Sequence, residues 1–95
     1  MKKKLKVLAV CGFGVGTSLI LRMNVEKILS KHQIEAEVEH VDVTSAVGMP
    51  ADVVVTSREI AEQIIEHFKV PVIIINNFMD MKEIETKCIE VIETL

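Results

Sequence analysis

Strand-like and helix-like patterns alternate along this chain, and that alternation limits the possible folds more than any other feature. Short runs of aliphatic and β-branched residues predict four strands, at residues 5–10, 35–43, 52–56 and 70–75. Longer stretches with apolar residues at helical spacing predict three helices, at residues 17–31, 58–67 and 80–95, and residues 44–50 are expected to be an irregular connection. Because parallel strands need crossover connections, this order indicates a parallel sheet with right-handed crossovers.

The expected fold is a three-layer α/β sandwich, in which a four-stranded parallel sheet has helices on both faces. The first strand is apolar throughout, which is typical of a central position. The second strand carries Glu35, Glu37 and Glu39 at alternate positions, and Pro71 lies near the start of the fourth; both features favour sheet edges. The expected strand order is therefore 2-1-3-4. The winding then reverses between strands 1 and 3, which is where such sheets bind ligands.

Each predicted helix should bury one apolar stripe against this sheet. The stripe positions are Leu21, Val25, Ile28 and Leu29 in the first helix, Ile60, Ile64 and Ile65 in the second, and Met81, Ile84, Cys88, Val91 and Leu95 in the third. These residues, with the strands, form the predicted core.

Length and composition narrow the class of protein. The 95 residues fit a single domain over residues 1–95. A net charge of −3 and only three aromatic residues argue against a nucleic-acid surface, which needs positive charge or stacking rings. The lysines near the start precede an apolar run too short for a signal peptide, and no segment approaches the roughly 20 apolar residues of a spanning helix. We therefore expect a soluble, cytoplasmic protein without direct membrane insertion.

A glycine-rich segment between the first strand and the first helix is the candidate site. It consists of Cys11-Gly12-Phe13-Gly14-Val15-Gly16-Thr17-Ser18. Glycine lets backbone approach a ligand closely, so successive N–H groups of such a segment can form a nest for an anion. The hydroxyls of Thr17 and Ser18 can cap the helix or bind a phosphate oxygen, and the helix N-terminus adds partial positive charge. Residues 12–18 therefore predict a cradle for a phosphate group.

Cys11 lies at the edge of this cradle and is the predicted nucleophile. The dipoles that favour a phosphate also favour a thiolate, so we expect a depressed pKa for its thiol. Such a thiolate can attack a phosphorus atom held in the cradle and carry the phosphoryl group covalently. The plain alternative is that Cys11 is only a small hydrophobic residue at the end of a buried strand.

Three better-known phosphate-binding motifs do not match this segment. The dinucleotide fingerprint needs G-x-G-x-x-G and the ATP-binding loop needs Gly-Lys-Ser/Thr, and neither is present in it. Cysteine phosphatases place an arginine six residues after the nucleophile, where this chain has Thr17, and no Asp-Pro pair supplies an obvious general acid. A phosphocysteine formed here should therefore persist until an acceptor arrives, although a low-molecular-weight phosphatase-like hydrolase remains an alternative.

The residues around Cys11 resemble enzyme IIB of the bacterial phosphoenolpyruvate-dependent sugar phosphotransferase system. The resemblance is carried by Ala9-Val10-Cys11-Gly12-x-Gly14-x-Gly16-Thr17-Ser18. The continuation Leu21-Arg22-Met23-x-Val25-Glu26 resembles the ascorbate-type branch, with galactitol-type proteins next. Beyond residue 30 the likeness is mainly one of size and element order.

The resemblance implies a phosphocarrier. A phosphohistidine on a IIA partner would donate its phosphoryl group to Cys11, and the phosphoryl oxygens would be bound by Gly12, Phe13, Gly14, Val15, Gly16, Thr17 and Ser18. Phospho-Cys11 would pass the group to a sugar or sugar acid, L-ascorbate in the ascorbate branch. That acceptor would be held by a membrane IIC transporter, with which the protein would associate. A regulatory module that keeps the fold and senses phosphorylation is a further alternative.

Several other polar and sulfur-containing residues have plainer expected roles. Cys88 should be an inert core thiol, and the three histidines should be structural or solvent-exposed: His32, His40 and His67. Arg58, Asn76 and Asn77 follow strands on the rim that carries Cys11, where a solvated helix start and a turn are the favoured interpretations. No Cys or His cluster has metal-ligand spacing, so we expect neither a metal nor a cofactor.

Overall fold

Four parallel strands form the sheet of this protein. The structure is a computed structural model that describes residues 4–11 and 15–95, without the side chains of residues 15–18. The strands are β1 (Leu5–Cys11), β2 (Ala36–Asp42), β3 (Val53–Thr56) and β4 (Val72–Ile74), ordered β2-β1-β3-β4. Every adjacent pair is parallel. The predicted parallel sheet and its strand order 2-1-3-4 are therefore confirmed.

β1 lies inside the sheet because its side chains are apolar on both faces. Its four central residues, Val7 to Val10, are each at most 1% exposed. β2 and β4 lie at the edges, as their glutamates and Pro71 predicted. The register sets Cys11 opposite Asp42 on β2 and Val10 opposite Thr56 on β3. The carboxyl ends of these strands therefore meet at one edge of the sheet.

Helices cover both faces of the sheet, as predicted. They are α1 (Val15–Lys31), α2 (Val43–Ala46), α3 (Arg58–Ile64) and α4 (Met81–Ile92), and a 3-10 turn, Ile65–His67, follows α3. Alternate residues of a strand point to opposite faces. β1 accordingly contributes Val7, Ala9 and Cys11 to the core beneath α1 and α4, and Leu8 and Val10 to the core beneath α2 and α3.

The apolar stripes of α1 and α4 form the layer that covers the Cys11 face. The four predicted positions of α1 are all at most 3% exposed, and Ile84 and Cys88 of α4 are fully buried. Asp80 begins α4 by accepting hydrogen bonds from the N–H groups of Lys82 and Glu83. Among residues 4–11 and 15–95, no helix has both the length and the apolar character needed to cross a bilayer.

Three details of the predicted elements are wrong. Residues 44–50 are not wholly irregular, because α2 includes residues 44–46 and buries Ala46. Ile65 is 53% exposed rather than inward-facing, since α3 gives way to the tighter 3-10 turn there and the side chain changes direction. Met81 and Leu95 are exposed because α4 begins at Met81 and ends at Ile92, so neither lies against the sheet.

Candidate functional site

Cys11 is the last residue of β1, at the carboxyl end of the sheet. Its side chain belongs to the core layer beneath α1 and α4 and is 8% exposed. Asp42 lies directly opposite it on β2, and β3 ends beside it at Thr56. Cys11 therefore lies where the winding reverses between β1 and β3, the position at which open parallel sheets bind ligands.

The predicted phosphate cradle falls partly outside the described residues. Gly12, Phe13 and Gly14 lie outside them, and so do the side chains of the predicted contacts Val15, Thr17 and Ser18. α1 begins at Val15, two residues before the predicted start, so residues 15–18, including Gly16, form its first turn rather than a loop. The first four N–H groups of an α-helix have no acceptor within it. This turn therefore keeps the amide donors and the positive dipole end that a phosphate favours.

A buried hydrogen bond fixes the backbone immediately before Cys11. Thr56 is fully buried, and its Oγ1 donates to the Val10 carbonyl oxygen over 2.6 Å. The N–H of Ile75 in turn donates to the Thr56 carbonyl oxygen over 2.8 Å. These bonds join the carboxyl ends of β1 and β3 to the chain after β4. The sequence interpretation missed Thr56. In the sequence, the one feature that distinguishes this residue is its hydroxyl group after three valines.

The predicted depression of the Cys11 pKa is wrong. Burial raises the pKa of the Cys11 thiol to about 11, because desolvation disfavours the thiolate. The prediction weighed the dipoles of the cradle and neglected that the thiol ends a strand buried on both faces. The protonated thiol therefore predominates at neutral pH, and any transfer to Cys11 must also remove its proton.

Slow alkylation of Cys11 should follow from this raised pKa. In a Cys88→Ala variant, which leaves one thiol, we expect iodoacetamide at about pH 7.5 to modify Cys11 at least ~100-fold more slowly than a free cysteine with a pKa of about 8.5. Mass spectrometry against time measures the rate, with the urea-unfolded variant as reference. A rate that reaches half its maximum below about pH 8 would contradict the raised pKa.

The connection from β4 to α4 forms the neighbouring rim, and Glu83 holds it in place. The Glu83 carboxylate accepts hydrogen bonds from the backbone N–H groups of Asn76 (2.8 Å) and Asn77 (3.1 Å) and from Lys87 Nζ (2.7 Å). The Asn77 side-chain oxygen accepts from the N–H of Met79, which closes the turn. The predicted turn at the two asparagines is confirmed, and their backbone amides are already engaged by Glu83.

The stability that Glu83 contributes should be lost in acid. The hydrogen bond from Lys87, followed by the bond from the Asn76 amide, lowers the pKa of Glu83 from 4.5 to about 2. A depressed folded-state pKa contributes stability above the unfolded value, and that contribution is lost as the pH falls from about 4.5 towards 2. We expect Glu83→Gln to lower the free energy of unfolding by about 1–2 kcal/mol at neutral pH. The difference from wild type should shrink in acid.

Urea denaturation at about pH 7 and about pH 3 measures this dependence. Glu90→Gln is the matched control, because Glu90 is exposed on the same helix. The control should change the free energy of unfolding by less than about 0.5 kcal/mol. If Glu83→Gln lowers the free energy of unfolding equally at both pH values, the lowered pKa of Glu83 is contradicted.

Cys88, His32 and Arg58, which were also singled out in the sequence, have structural or solvent-exposed positions. Cys88 is fully buried, which confirms a core thiol, and burial raises its pKa to about 12. His32, the residue after α1, has its Nε2 2.7 Å from Glu85 Oε2 on α4. Arg58 is exposed at the start of α3, in the helix layer on the opposite face of the sheet. Within the described ranges, no group of three or more His, Cys, Asp or Glu side chains could hold a metal ion.

The sequence interpretation missed a pair of side chains near Cys11. Arg22 on α1 donates from Nη1 to Nδ1 of His40 on β2 over 3.1 Å. Asp42 is the residue opposite Cys11, and His40 lies two residues before it on the same strand. The His40 side chain is therefore on the face of the sheet that carries Cys11. Arg22 and His40 are far apart in sequence, and only the packing of α1 against β2 brings them together.

Comparison with known proteins finds relatives over nearly the whole chain. The family model described as "PTS system, Lactose/Cellobiose specific IIB subunit" matches residues 6–89. An "Ascorbate-specific PTS system EIIB component" from Mycoplasma pneumoniae is 32% identical and covers 87% of this chain and 90% of its own. Proteins of that name from Shigella sonnei and Escherichia coli O157:H7 are 31% and 30% identical, each covering 93% of this chain and 89% of its own.

Two solved structures share the arrangement of strands and helices. The lactose-specific IIB component domain from Streptococcus pneumoniae aligns with a TM-score of 0.70 at 16% identity, covering 96% of this chain and 97% of its own. The enzyme IIB subunit of a PTS system from Escherichia coli K12 aligns with a TM-score of 0.58 at 17% identity, covering 99% and 94%. At these identities the likeness shows the α/β fold alone.

Proposed function

The chain belongs to the IIB subunit family of the phosphotransferase system (PTS), and from this premise we propose that Cys11 is the residue that carries the phosphoryl group. As a PTS IIB component the protein is a sugar phosphotransferase. The observation that carries the assignment is the position of the thiol. Cys11 ends β1, and the amide-rich first turn of α1 begins four residues later at Val15.

The proposed step exchanges a P–N bond for a P–S bond. The sulfur of Cys11 attacks the phosphorus of a phosphohistidine on a IIA partner; the S–P bond forms, the N–P bond breaks, and its electron pair returns to the imidazole nitrogen. Burial keeps Cys11 protonated before transfer. The thiol proton therefore passes to the imidazole nitrogen, which becomes basic as it loses the phosphoryl group. Atoms and charge balance without a further acid or base.

The phosphoryl oxygens are bound, in this proposal, by the glycine-rich segment and the first turn of α1, namely Gly12, Phe13, Gly14, Val15, Gly16, Thr17 and Ser18. Support comes from the start of α1 at Val15, which leaves the amides of residues 15–18 without acceptors inside the helix. Such amides favour the phosphoryl charge whether the group is arriving or leaving, so transfer is reversible.

A long-lived phosphocysteine distinguishes a carrier from a hydrolase. Thr17 stands where a cysteine phosphatase has its arginine. Asp42 is the carboxylate opposite Cys11, and a hydrogen bond from the Ser45 side chain lowers its pKa below 3.8. A carboxylate whose pKa is lowered is ionised at neutral pH and is therefore a poor general acid. Both features favour retention of the phosphoryl group until an acceptor arrives.

The acceptor in this proposal is a sugar or sugar acid held by a membrane IIC transporter, and L-ascorbate is the first candidate. Three relatives between 30% and 32% identical are named ascorbate-specific. The family description names lactose and cellobiose instead, so transfer to each sugar has to be measured. The protein would act in the cytoplasm, associating with the transporter during transfer.

Phosphorylation by purified PTS components tests this function. The protein is incubated with phosphoenolpyruvate, the general phosphotransferase components and an ascorbate-type IIA protein, and its intact mass is measured. We expect the mass to increase by one phosphoryl group, and to return to its starting value when ascorbate and IIC-containing membranes are added. No increase in mass would contradict the proposal.

The same preparation separates the alternatives. Sustained turnover of an aryl phosphate that is lost in Cys11→Ala would indicate a hydrolase. Phosphorylation that is never passed to a sugar, with any IIC protein supplied, would indicate a regulatory module.

A further inference from the structure

We propose that Arg22 supplies positive charge that stabilises the phosphoryl group on Cys11, and that His40 positions the Arg22 guanidinium for this role. The inference rests on the phosphocysteine proposed above. Residues 12–18 contain no lysine or arginine. A phosphoryl group carries about −1.5 to −2 charges at neutral pH, so a cation from elsewhere in the fold would lower its free energy.

The strand register places His40, the hydrogen-bond partner of Arg22, on the face of the sheet that carries Cys11. Cys11 is opposite Asp42 and Ala9 is opposite His40, so His40 is a diagonal neighbour of Cys11. Adjacent strands lie about 4.8 Å apart and alternate residues of a strand about 6.6 Å apart, which separates these two Cα atoms by about 8 Å. Arg22 Nη1 lies 3.1 Å from the His40 ring. Charges at such separations are only partly screened at physiological ionic strength.

The guanidinium of Arg22 is held by the bond to His40 and by a partly exposed ion pair with Glu26. Its Nε lies 3.6 Å from Glu26 Oε1, too far for a hydrogen bond, and has no hydrogen-bond partner among the described residues. Arg22 can only donate, so Nδ1 of His40 is the acceptor in this bond. The Arg22 side chain is also 37% exposed, and the proposal requires its remaining donors to turn towards a group attached to Cys11.

Asp42 explains why a cation matters here. Asp42 pairs with Cys11 in the strand register, and a hydrogen bond from the Ser45 side chain lowers the pKa of its carboxyl, so it is ionised at neutral pH. A carboxylate beside a phosphoryl group disfavours phosphorylation by like-charge repulsion. Within the described residues, the elements packed on this face carry the following charged and titratable groups: Arg22, Glu26, Lys31, His32, His40, Asp42, Glu83, Glu85 and Lys87. Lys31 and Lys87 are bonded to Glu85 and Glu83, and Arg22 is the cation that contacts β2, where it can offset the repulsion.

A pH titration of the phosphoryl group by phosphorus NMR tests this role. The second ionisation of such groups lies near pH 6, and a neighbouring cation lowers its pKa. Arg22→Gln should raise that pKa by about 0.5–1 unit, and Arg22→Lys should recover part of the change. His40→Leu, which removes the acceptor for the guanidinium, should give an intermediate increase. Lys27→Gln is the matched control, because Lys27 is an exposed cation on the same helix; it should shift the pKa by less than about 0.2 unit.

The outcomes separate this inference from the function on which it rests. If wild type is phosphorylated on Cys11 and Arg22→Gln shifts the phosphoryl pKa no more than Lys27→Gln, the role of Arg22 is overturned and the carrier function stands. If wild type gains no phosphoryl group, both proposals are overturned. Circular dichroism checks that each variant is folded, and Arg22→Met, which keeps the aliphatic stem, replaces Arg22→Gln if the latter does not fold.

Discussion

Replacement of Cys11 by serine should lower phosphoryl transfer to the sugar by at least about a thousandfold. Serine has nearly the same shape as cysteine, so the end of β1 and the core beneath α1 should stay intact. Its hydroxyl is a far weaker nucleophile than a thiol, and position 11 is buried. The rate is measured as phosphorylated ascorbate formed in the presence of phospho-IIA and IIC-containing membranes.

Cys88→Ala is the matched control for this experiment, since it removes the other thiol. Cys88 is fully buried in the core beneath α4, so the variant should lose stability without losing transfer. We expect its rate to remain within about twofold of wild type below its unfolding temperature. If transfer survives in Cys11→Ser and is lost in Cys88→Ala, our proposal that Cys11 carries the phosphoryl group is contradicted.

Replacement of Leu21 by alanine should remove a large part of the stability of the fold. Leu21 is fully buried and holds α1, whose first turn follows the site, against β1. Truncation of a buried leucine costs about 3–4 kcal/mol through lost burial and the cavity that remains. A domain of this size has roughly 5–15 kcal/mol in total, so the effect should be visible as a large fall in the urea midpoint.

The neighbouring residue on α1 provides the comparison. Ile20 is 40% exposed, and Ile20→Ala should lower the free energy of unfolding by less than about 1 kcal/mol. Equal effects of the two substitutions would show that α1 does not pack on the sheet through the Leu21 face. If Leu21→Ala lowers the free energy of unfolding only slightly, and Ile20→Ala has the small effect expected of it, the core beneath α1 collapses to fill the cavity.

The fold could be predicted from the sequence because its signals are local and repeated. The aliphatic strands, the apolar stripe of α1 and the glutamate alternation of β2 each specify an element and one buried face. The errors lie where the backbone departs from a regular element. Ile65 fits the helical spacing of α3, but the turn to 3-10 geometry at that residue exposes it. The spacing of apolar residues does not indicate where a helix changes to 3-10 geometry.

The sequence predicts where a candidate site should lie but does not predict its electrostatics. Glycines after a buried strand indicate where a phosphate can bind, and the sequence therefore pointed to Cys11. The thiol pKa depends on how deeply the end of β1 is buried, which the strand pattern does not report. The contact between Arg22 and His40 depends on how α1 packs on β2, and the Thr56 bond depends on the pairing of β1 with β3. Such tertiary contacts have no local signature.

Localisation of the phosphoryl group by fragmentation mass spectrometry, in protein phosphorylated by IIA and then exposed to sugar and IIC-containing membranes, tests the central claim most directly. We predict a single phosphoryl group on Cys11 before the sugar is added and its loss from Cys11 as the sugar becomes phosphorylated. A phosphoryl group on His32, His40 or His67, or sugar phosphorylation while Cys11 stays unmodified throughout, would contradict the proposal that this protein carries phosphate on Cys11.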